Sequence, residues 1–300
     1  MNLRIGTRRS RLALAQANEV ADGLRANGHT VELVPIVTSG DRGADPSSDP
    51  QGLKGLFVVE IVRALRAGEV DLAVHSAKDL PADDTDDLVI GAVPPRSSPL
   101  DVLVTRDADL TPGARVGTSS VRRQAQIFRW RPDVLLKDVR GNVDTRLRKL
   151  ADGEVDALVL AAAGLLRLGI VPEHVQPLSV AEMTPAPGQG ALAVQARADD
   201  GATLEALVRL DHAPSRAALT AERGLMLALG GGCALPLGAF AEPLDDGRIR
   251  LVAIVLTPEG ARYARTEVQA ATPEEVAELA RLDLAASGAD EILASARERP

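Results

Sequence analysis

The residue types best able to do chemistry stand in two short segments, and the first of these holds the only cysteine, Cys233. It lies in GGGCALPLG, where three glycines remove side chains from one flank and leave the thiol on bare backbone. Glycine permits tight turns and close approach, so a covalent group can attach there. A small, buried, apolar cysteine is the ordinary alternative. The motif by itself leaves both interpretations open.

The second segment, HSAKDLP, spans residues 75–81 and places Asp79 beside Lys78 at the end of an apolar strand. A carboxylate in such a place can act in acid/base chemistry or stabilise a positive charge. An aspartate in a turn before proline explains the pattern equally well. We interpret His75 as a structural residue. The four histidines show no metal-ligand spacing and no pairing with the thiol, so we predict neither a metal site nor a Cys-His nucleophile.

Arginine supplies nearly all of the positive charge, because lysine occurs only at positions 54, 78, 137 and 149. In GTSSVRRQAQ, three hydroxyl residues at a helix start precede Arg122 and Arg123. Helix N-termini attract anions, and guanidinium groups bind carboxylates through two hydrogen bonds. The segment therefore indicates a carboxylate or phosphate site, with an ordinary helix cap and a solvated basic turn as the alternative. Further arginines stand at the expected ends of elements: Arg8, Arg140, Arg146 and Arg167.

Composition and charge exclude several classes of protein. The formal net charge of −8 repels polyanions, and an aromatic content of 2% leaves few platforms for stacking bases, so we predict no nucleic-acid partner. No apolar run is long enough to span a membrane, and the first residues lack a leader-like apolar segment. We therefore expect a cytoplasmic globular protein of two or three domains without a membrane partner.

An internal duplication organises the first two thirds of the chain. RALRAGEVDLAV, at 63–74, matches RKLADGEVDALV, at 148–159, and RIGT at 4–7 matches RVGT at 115–118. Alternating strand and helix signals in each copy predict a mostly parallel sheet covered by helices. Two similar α/β lobes of this kind bind ligands at the carboxyl ends of their strands. We expect a cleft there.

The boundaries follow from breaks in this pattern. The prolines and serines of VPPRSSP, at 93–99, indicate a crossing between lobes, and the polar stretch 39–53 indicates a mobile loop able to cover the cleft. After a helix near 215–230, three strand signals and then helical signals predict a small α+β domain. We predict lobe one at 1–94 with 190–209, lobe two at 95–189 and the C-terminal domain at 210–300.

Taken together, the motifs resemble the porphobilinogen deaminase family over almost the whole chain. The resemblance depends on TRRSRLALAQ, GLKGLFVVEI, DLAVHSAKDLP, GTSSVRRQAQ, DVRGNVDTRL, LAAAGLLRLG, PAPGQGALAV and GGGCALPLG, in the family's order and spacing. It implies an α/β fold: two similar periplasmic-binding-protein-like α/β lobes around a cleft, plus a small C-terminal α+β domain. It also implies a monomer.

The resemblance further implies a transferase, a hydroxymethylbilane synthase. Such an enzyme joins four porphobilinogen molecules head to tail on a covalently bound dipyrromethane primer, releases ammonia at each step, and frees the linear tetrapyrrole by hydrolysis. The cofactor's thioether then falls on Cys233 and the catalytic carboxylate on Asp79. The remaining cofactor positions would be Ser76, Lys78, Ser120, Arg122, Arg123 and Arg140, with Asp79 among them. The substrate positions would be Arg8, Gln16, Lys54, Thr118, Ser119, Arg140, Arg146, Arg167 and Gln189.

A growing chain in which every pyrrole bears an acetate and a propionate presents many carboxylates, and this demand suits arginines that converge on a cleft. The main alternative is a two-lobed module that binds or senses a small anion without catalysis. It would share the lobes and the cleft. It predicts no covalent group on the protein.

Overall fold

The computed structural model describes residues 1–37, 58–81, 85–230 and 236–297, with side chains up to residue 295. Cys233, Lys54 and the predicted loop at 39–53 lie outside the described residues, so the expectations placed on them stay predictions. Elements are numbered below in chain order within the described ranges.

The first part of the chain alternates strand and helix. Its elements are β1 (Asn2–Arg8), α1 (Arg11–Ala26), β2 (Thr30–Ile36), α2 (Val59–Arg66), β3 (Leu72–Ser76), a 3₁₀ turn (Ala77–Asp79) and β4 (Leu88–Ala92). Ser10 begins α1, because its hydroxyl accepts a hydrogen bond from the backbone N–H of Ala13. Gly28, with φ at +85°, follows the helix end, where glycine adopts the left-handed backbone without strain.

The middle of the chain repeats this alternation. Its elements are β5 (Asp101–Thr105), β6 (Arg115–Gly117), α3 (Val121–Trp130), β7 (Leu135–Lys137), α4 (Val143–Ala151), β8 (Ala157–Ala161), α5 (Ala162–Leu168), β9 (Val175–Pro177) and β10 (Leu192–Arg197). The final part changes character. It comprises α6 (Gly201–Leu207), a 3₁₀ turn (Val208–Leu210), α7 (Ala213–Ala228), β11 (Leu237–Pro243), β12 (Ile249–Leu256), β13 (Tyr263–Ala270), α8 (Pro273–Ala286) and α9 (Ala289–Arg297).

Within the described ranges, the strands form three sheets. Sheet one has the order β2-β1-β3-β10-β4, and sheet two has the order β7-β6-β8-β5-β9. In these two sheets, β10 and β5 are the strands that run antiparallel to both of their neighbours. Each of these is the strand that the chain enters after crossing from the other sheet. Four of the five strands in each sheet point the same way, which agrees with the prediction of mostly parallel sheets. The chain leaves sheet one after β4 and enters sheet two at β5, on either side of residues 93–99. Sheet three, β11-β12-β13, is wholly antiparallel.

The duplication seen in the sequence is also present at the level of atoms. In sheet one, Arg4 Nη2 lies 2.7 Å from Asp71 Oδ1, and the Arg4 backbone N–H donates to the same carboxylate. In sheet two, Arg115 Nη2 lies 2.9 Å from Asp156 Oδ1, with the same backbone hydrogen bond. In both copies Nη2 also donates to the carbonyl of the turn glycine before the strand. The matching segments thus fold into matching units.

A buried ion pair joins the crossings to the C-terminal part. Arg96, in the first crossing, donates two hydrogen bonds to the carboxylate of Glu222 on α7, at 2.7 and 3.1 Å. The chain returns to sheet one through a second crossing, residues 178–191, between β9 and β10. The same carboxylate accepts from the backbone N–H groups of Gly188, in this second crossing, and Ala241, on β11. Glu222 has no exposed surface, so these hydrogen bonds stabilise its charge inside the protein. Among the described residues, no helix combines the length and apolar character needed to cross a membrane.

Candidate functional site

The turn that follows β3 presents Lys78 and Asp79. Ala77 anchors it, since this residue is buried and its backbone N–H donates to Ala191 O at 3.0 Å. The second crossing passes so close that a Cβ on Gly188 would lie 2.9 Å from Lys78 N. Glycine at 188, with φ at +73°, is therefore required for this approach. The side chains of Lys78 and Asp79 are half-buried.

The ammonium group of Lys78 lies in a crowded electrostatic environment. Burial lowers the pKa of Lys78 from 10.5 to about 8, and the positive charges of Arg123 and Arg122 add to this effect. The carboxylates of Asp79 and Asp101 act in the opposite direction. A cation whose charged form is disfavoured in this way gains stability from an added anion. The turn is thus suited to hold a carboxylate.

Asp101, the first residue of β5, binds both arginines of the GTSSVRRQAQ segment. Its Oδ1 accepts from Nη2 of Arg123 at 2.7 Å and its Oδ2 from Nη2 of Arg122 at 2.7 Å. Arg122 also donates to Thr184 O, and Arg123 to Val159 O. All three charged side chains are buried, and the two guanidinium groups lower the pKa of Asp101 to about 2 despite burial, which acts in the opposite direction. This pairing holds the two arginines in fixed orientations.

Ser120 caps α3, as in the ordinary alternative that the sequence leaves open for this segment. The hydroxyl of Ser120 accepts from the backbone N–H of Arg123 at 3.5 Å, and Thr118 Oγ1 accepts from the backbone N–H of Ser120 at 3.2 Å. Thr118 is buried, whereas Ser119 and Ser120 are half-buried. The helix start is therefore ordered by its own side chains. The same helix start thus has both a Ser120 cap and the buried side chains of Arg122 and Arg123.

Arg146 and Arg140 extend the positive charge along the start of α4. Burial lowers the pKa of Arg146, and the nearby charge of Arg123 lowers it further. Arg146 Nε donates to Gly141 O at 2.8 Å. Arg140 is more exposed, and its Nε donates to Asp138 Oδ2 at 2.9 Å. The structure thus places Arg146 near the arginine pair and Arg140 at the open side of the same helix start.

Gln189, in the second crossing, is fully buried beside the arginine pair. Its Nε2 donates to Pro99 O at 2.7 Å and to Asp101 Oδ1 at 3.0 Å. Its Oε1 is buried and has no hydrogen-bond partner within the described ranges. A buried acceptor is stabilised by a hydrogen-bond donor, so this oxygen is a position at which an N–H or O–H group could bind.

Three other predicted positions lie around helix α1 and its neighbours. Gln16 is buried on α1, and Arg8 is the last residue of β1. Arg167, on α5, donates from Nε to Glu19 Oε2 at 2.8 Å and from Nη2 to Gly190 O at 3.2 Å. Arg167 is therefore next to the crossing that holds Gln189. Ser76 ends β3 immediately before the turn.

Asp101 is a site residue that sequence reasoning missed. The motifs point to Asp79, and the structure shows that Asp101 is a second carboxylate in contact with the arginines. A signal was available, since an aspartate opens the otherwise apolar run DVLVT. A charge at the buried start of a strand requires partners, and the arginine pair supplies them. Among the residues described, no three His, Cys, Asp or Glu side chains are grouped in a way that could hold a metal ion.

The fold is that of an α/β protein with two similar sheets and an appended C-terminal domain. A charged cluster of Lys78, Asp79, Asp101, Arg122, Arg123 and Arg146 lies where the two sheets meet. Comparison with known proteins identifies the family. The model described as porphobilinogen deaminase, dipyromethane cofactor binding domain matches residues 3–205, and the porphobilinogen deaminase C-terminal domain matches residues 217–286. The chain belongs to the porphobilinogen deaminase family.

Curated relatives agree over nearly the full length. Porphobilinogen deaminase from Brevibacillus brevis is 46% identical over 297 residues, covering 97% of this chain and 96% of the relative. The enzyme of the same name from Desulforudis audaxviator is 48% identical over 301 residues, covering 98% and 97%. Among solved structures, an arginine transport periplasmic binding protein from Legionella pneumophila is 14% identical, covering 69% of this chain and 90% of its own, with a TM-score of 0.39.

Family membership establishes the class of activity. The chain is a transferase, a hydroxymethylbilane synthase of tetrapyrrole biosynthesis, and its cofactor is dipyrromethane. The predictions of family, activity and cofactor made from the sequence are confirmed. The alternative of a non-catalytic anion-binding module is not favoured.

The described residues fit this cofactor. A dipyrromethane carries carboxylates on both rings and two pyrrole N–H donors. Among the described side chains, five cations lie in or beside the cluster, against three carboxylates; they are Lys78, Arg122, Arg123, Arg140 and Arg146, against Asp79, Asp101 and Asp138. The buried Oε1 of Gln189 can accept an N–H group. The described residues therefore offer cations for the carboxylates of a dipyrromethane and an acceptor for its pyrrole N–H groups.

Proposed function

We propose that the deaminating condensation of porphobilinogen takes place at the turn that carries Lys78 and Asp79, with Asp79 as the catalytic carboxylate. The observation that supports this most strongly is the position of Asp79 at the edge of a cluster of cations, half-buried and next to Lys78. Loss of ammonia leaves positive charge on the substrate pyrrole. A fixed carboxylate in a partly desolvated site stabilises such charge.

The cations bind and orient carboxylates in this proposal. Lys78, Arg140 and Arg146 would meet acetate and propionate groups of the cofactor and of the substrate. When bound, the dipyrromethane supplies the pyrrole carbon to which the first substrate unit is joined. The protein's part is to hold the reacting pyrroles next to Asp79, because orientation lowers the barrier of a step between two bound groups.

Asp101 acts as a positioning residue in the same proposal. Its carboxylate accepts hydrogen bonds from the guanidinium groups of Arg122 and Arg123 and so fixes their orientation. It also accepts from Nε2 of Gln189 and so orients that amide. The amide is thereby turned so that Oε1 remains available to an N–H donor. A preorganised array needs little rearrangement when charge develops.

The remaining assignments follow the family pattern and are proposals on the same footing. Cys233 would carry the thioether to the cofactor. The other cofactor and substrate positions would be Ser76, Ser120, Arg8, Gln16, Lys54, Thr118, Ser119 and Arg167. We also propose a cytoplasmic monomer without metal. The lobes would be 1–94 with 190–209 and 95–189, followed by a C-terminal domain at 210–300; the membership of the three sheets supports this division.

The test of the catalytic role is Asp79→Asn, which keeps the shape of the side chain and removes its charge. Turnover should fall by about 10²-fold or more. The dipyrrole content, measured by intact mass, and the far-UV circular dichroism spectrum should remain those of the wild type. Asp87→Asn serves as the control, because Asp87 pairs with Arg66 on the surface of the same lobe. Near-normal turnover in Asp79→Asn would remove Asp79 from the mechanism.

The binding role of the cations has a separate test. Arg140→Ala removes a half-exposed guanidinium group and leaves intact the buried ion pairs of Asp101 with Arg122 and Arg123. It should lower the amount of bound dipyrrole or slow elongation, and Arg123→Ala should do so as well. Unchanged cofactor content and kinetics in both variants would contradict the carboxylate-binding role.

A further inference from the structure

The guanidinium group of Arg167 is occupied by a carboxylate of the protein itself. Its Nε lies 2.8 Å from Glu19 Oε2, and its Nη2 lies 3.5 Å from Glu19 Oε1. Nη2 also donates to Gly190 O. The Arg167 side chain is only 7% exposed, whereas that of Glu19 is 41% exposed. One bidentate edge of the guanidinium is therefore satisfied by a side chain that water reaches.

The two partners belong to different parts of the fold. Glu19 lies on α1, which packs against sheet one, and Arg167 lies on α5, which follows β8 of sheet two. Glu19 stands three residues beyond Gln16 on α1, so both side chains share one face of the helix. Glu19 thus adjoins two positions that the proposed function assigns to the substrate, Gln16 and Arg167.

We propose that Glu19 is an internal competitor for the substrate's carboxylates. In the free site Glu19 occupies Arg167, and an incoming acetate or propionate replaces it. When the tetrapyrrole leaves, Glu19 pairs with Arg167 again and assists release. This inference rests on the proposed role of Arg167 in binding substrate carboxylate, and it adds a determinant of affinity that the proposed function does not contain.

The geometry favours replacement over permanent pairing. Because the Glu19 side chain is 41% exposed, its carboxylate regains hydration when the pair breaks. The buried guanidinium of Arg167 keeps a counter-charge only because the substrate carboxylate takes the place of Glu19. A substrate carboxylate can form the same two hydrogen bonds with Arg167. Glu19 is also free to turn into solvent from its exposed position on the helix. The free-energy difference between the two partners of Arg167 is therefore small, and the exchange is reversible.

Helix α1 supplies a matched control. Near its start, Arg11 Nη1 lies 2.7 Å from Asp144 Oδ1 on α4, so this pair also links α1 to the part of the chain that carries sheet two. Asp144 is not assigned to the site. Asp144→Asn removes a second ion pair between the same two regions, with a carboxylate of similar exposure and a more exposed arginine, and it leaves Arg167 untouched.

The experiment compares Glu19→Gln, Asp144→Asn and Arg167→Ala as holoenzymes. The apparent KM for porphobilinogen is measured with purified protein, and intact mass gives the distribution of enzyme-bound chain lengths during turnover. Glu19→Gln should lower KM by about two- to five-fold, the range expected when the competing carboxylate is itself partly solvated. It should also shift the bound forms toward longer chains. Asp144→Asn should match the wild type in both measurements.

A double variant shows whether the effect passes through Arg167. In the Arg167→Ala background, Glu19→Gln should produce no further change in KM. An unchanged or raised KM in Glu19→Gln, or an equal change in Asp144→Asn, overturns the inference about Glu19 while Arg167→Ala still impairs elongation. If Arg167→Ala itself leaves KM and the bound chain lengths unchanged, the proposed binding role of Arg167 fails first, and the inference fails with it.

Discussion

The carboxylate of Asp101 lies 2.7 Å from Nη2 of Arg123, in a pair whose carboxylate has no exposed surface. A second guanidinium, that of Arg122, lies at the same distance on the other carboxylate oxygen. Two cations with one shared counter-charge leave an excess of positive charge inside the protein. Such an arrangement is stable only when every hydrogen bond is made. The excess positive charge also favours the binding of an anion nearby.

Removing the carboxylate that Arg122 and Arg123 share should therefore destabilise the protein strongly. Asp101→Asn leaves two buried guanidinium groups without a counter-charge, and the free energy of unfolding should fall by about 3–5 kcal/mol. Urea denaturation followed by circular dichroism measures this loss. The control is Asp87→Asn, which removes an exposed pair with Arg66 and should therefore change the free energy of unfolding far less. Equal small losses in both variants would contradict the structural role of Asp101.

The lowered pKa of Lys78 predicts a pH dependence of anion binding. Its ammonium loses charge as the pH rises through about 8, instead of near 10.5. In the Cys233→Ser chain, which should lack the dipyrrole, the affinity for porphobilinogen should therefore weaken as the pH rises through about 8. Isothermal titration calorimetry at several pH values measures it. Lys78→Arg should remove this dependence, because arginine stays charged. A flat profile with the lysine present would contradict the proposed contact.

His75 predicts a pH dependence of stability. Burial lowers its pKa to about 4, although the charge of Asp79 acts in the opposite direction. Because the unfolded chain binds a proton near pH 6.5 and the folded chain resists it until about pH 4, the stabilising effect of the neutral ring is complete above pH 6.5 and is lost as the pH falls to 4. The loss amounts to about 3 kcal/mol. His75→Gln should show a correspondingly flatter dependence of the unfolding free energy, and an identical slope would contradict this assignment.

The second crossing predicts an intolerance of side chains at Gly190. A Cβ there would lie 2.5 Å from Ser97 O, and φ is +86°. Gly169 has φ at +64°, and a Cβ added to it would meet no atom within 4 Å, so it provides a matched control. Both alanine variants carry the backbone strain of about 1–2 kcal/mol. The free energy of unfolding of Gly190→Ala should be lower by about 1–3 kcal/mol more, because the added Cβ would push the two crossings apart. Equal melting temperatures for the two variants would show that the close approach is not needed.

Much of the fold could be predicted from the sequence, because the relevant signals are local. Helix α3 has the bounds of its amphipathic run VRRQAQIFRW. Ser120 marks a helix start through its side-chain hydroxyl, and Gly28 marks a helix end through its positive φ. The duplication is visible in the sequence because Arg4 and Asp71 recur as Arg115 and Asp156. Each repeated pair performs the same task in its own sheet.

The site was less predictable, because it depends on contacts between distant segments. The sequence predicts that Arg122 and Arg123 line an open cleft, yet both are buried and bound by Asp101, some twenty positions earlier in the chain. The partnership of Arg167 with Glu19 spans 148 positions. Sequence spacing records neither contact. Only the packing of the two sheets brings these residues together.

The central claim, that a dipyrrole is attached to Cys233 and serves as primer, is tested most directly by intact-mass spectrometry of the purified protein. The wild-type chain should be heavier than its sequence by one dipyrromethane, and Ehrlich's reagent should colour it. Cys233→Ser should have the mass of its sequence alone. A wild-type chain without added mass, or a Cys233→Ser chain that is fully loaded and active, would contradict the account.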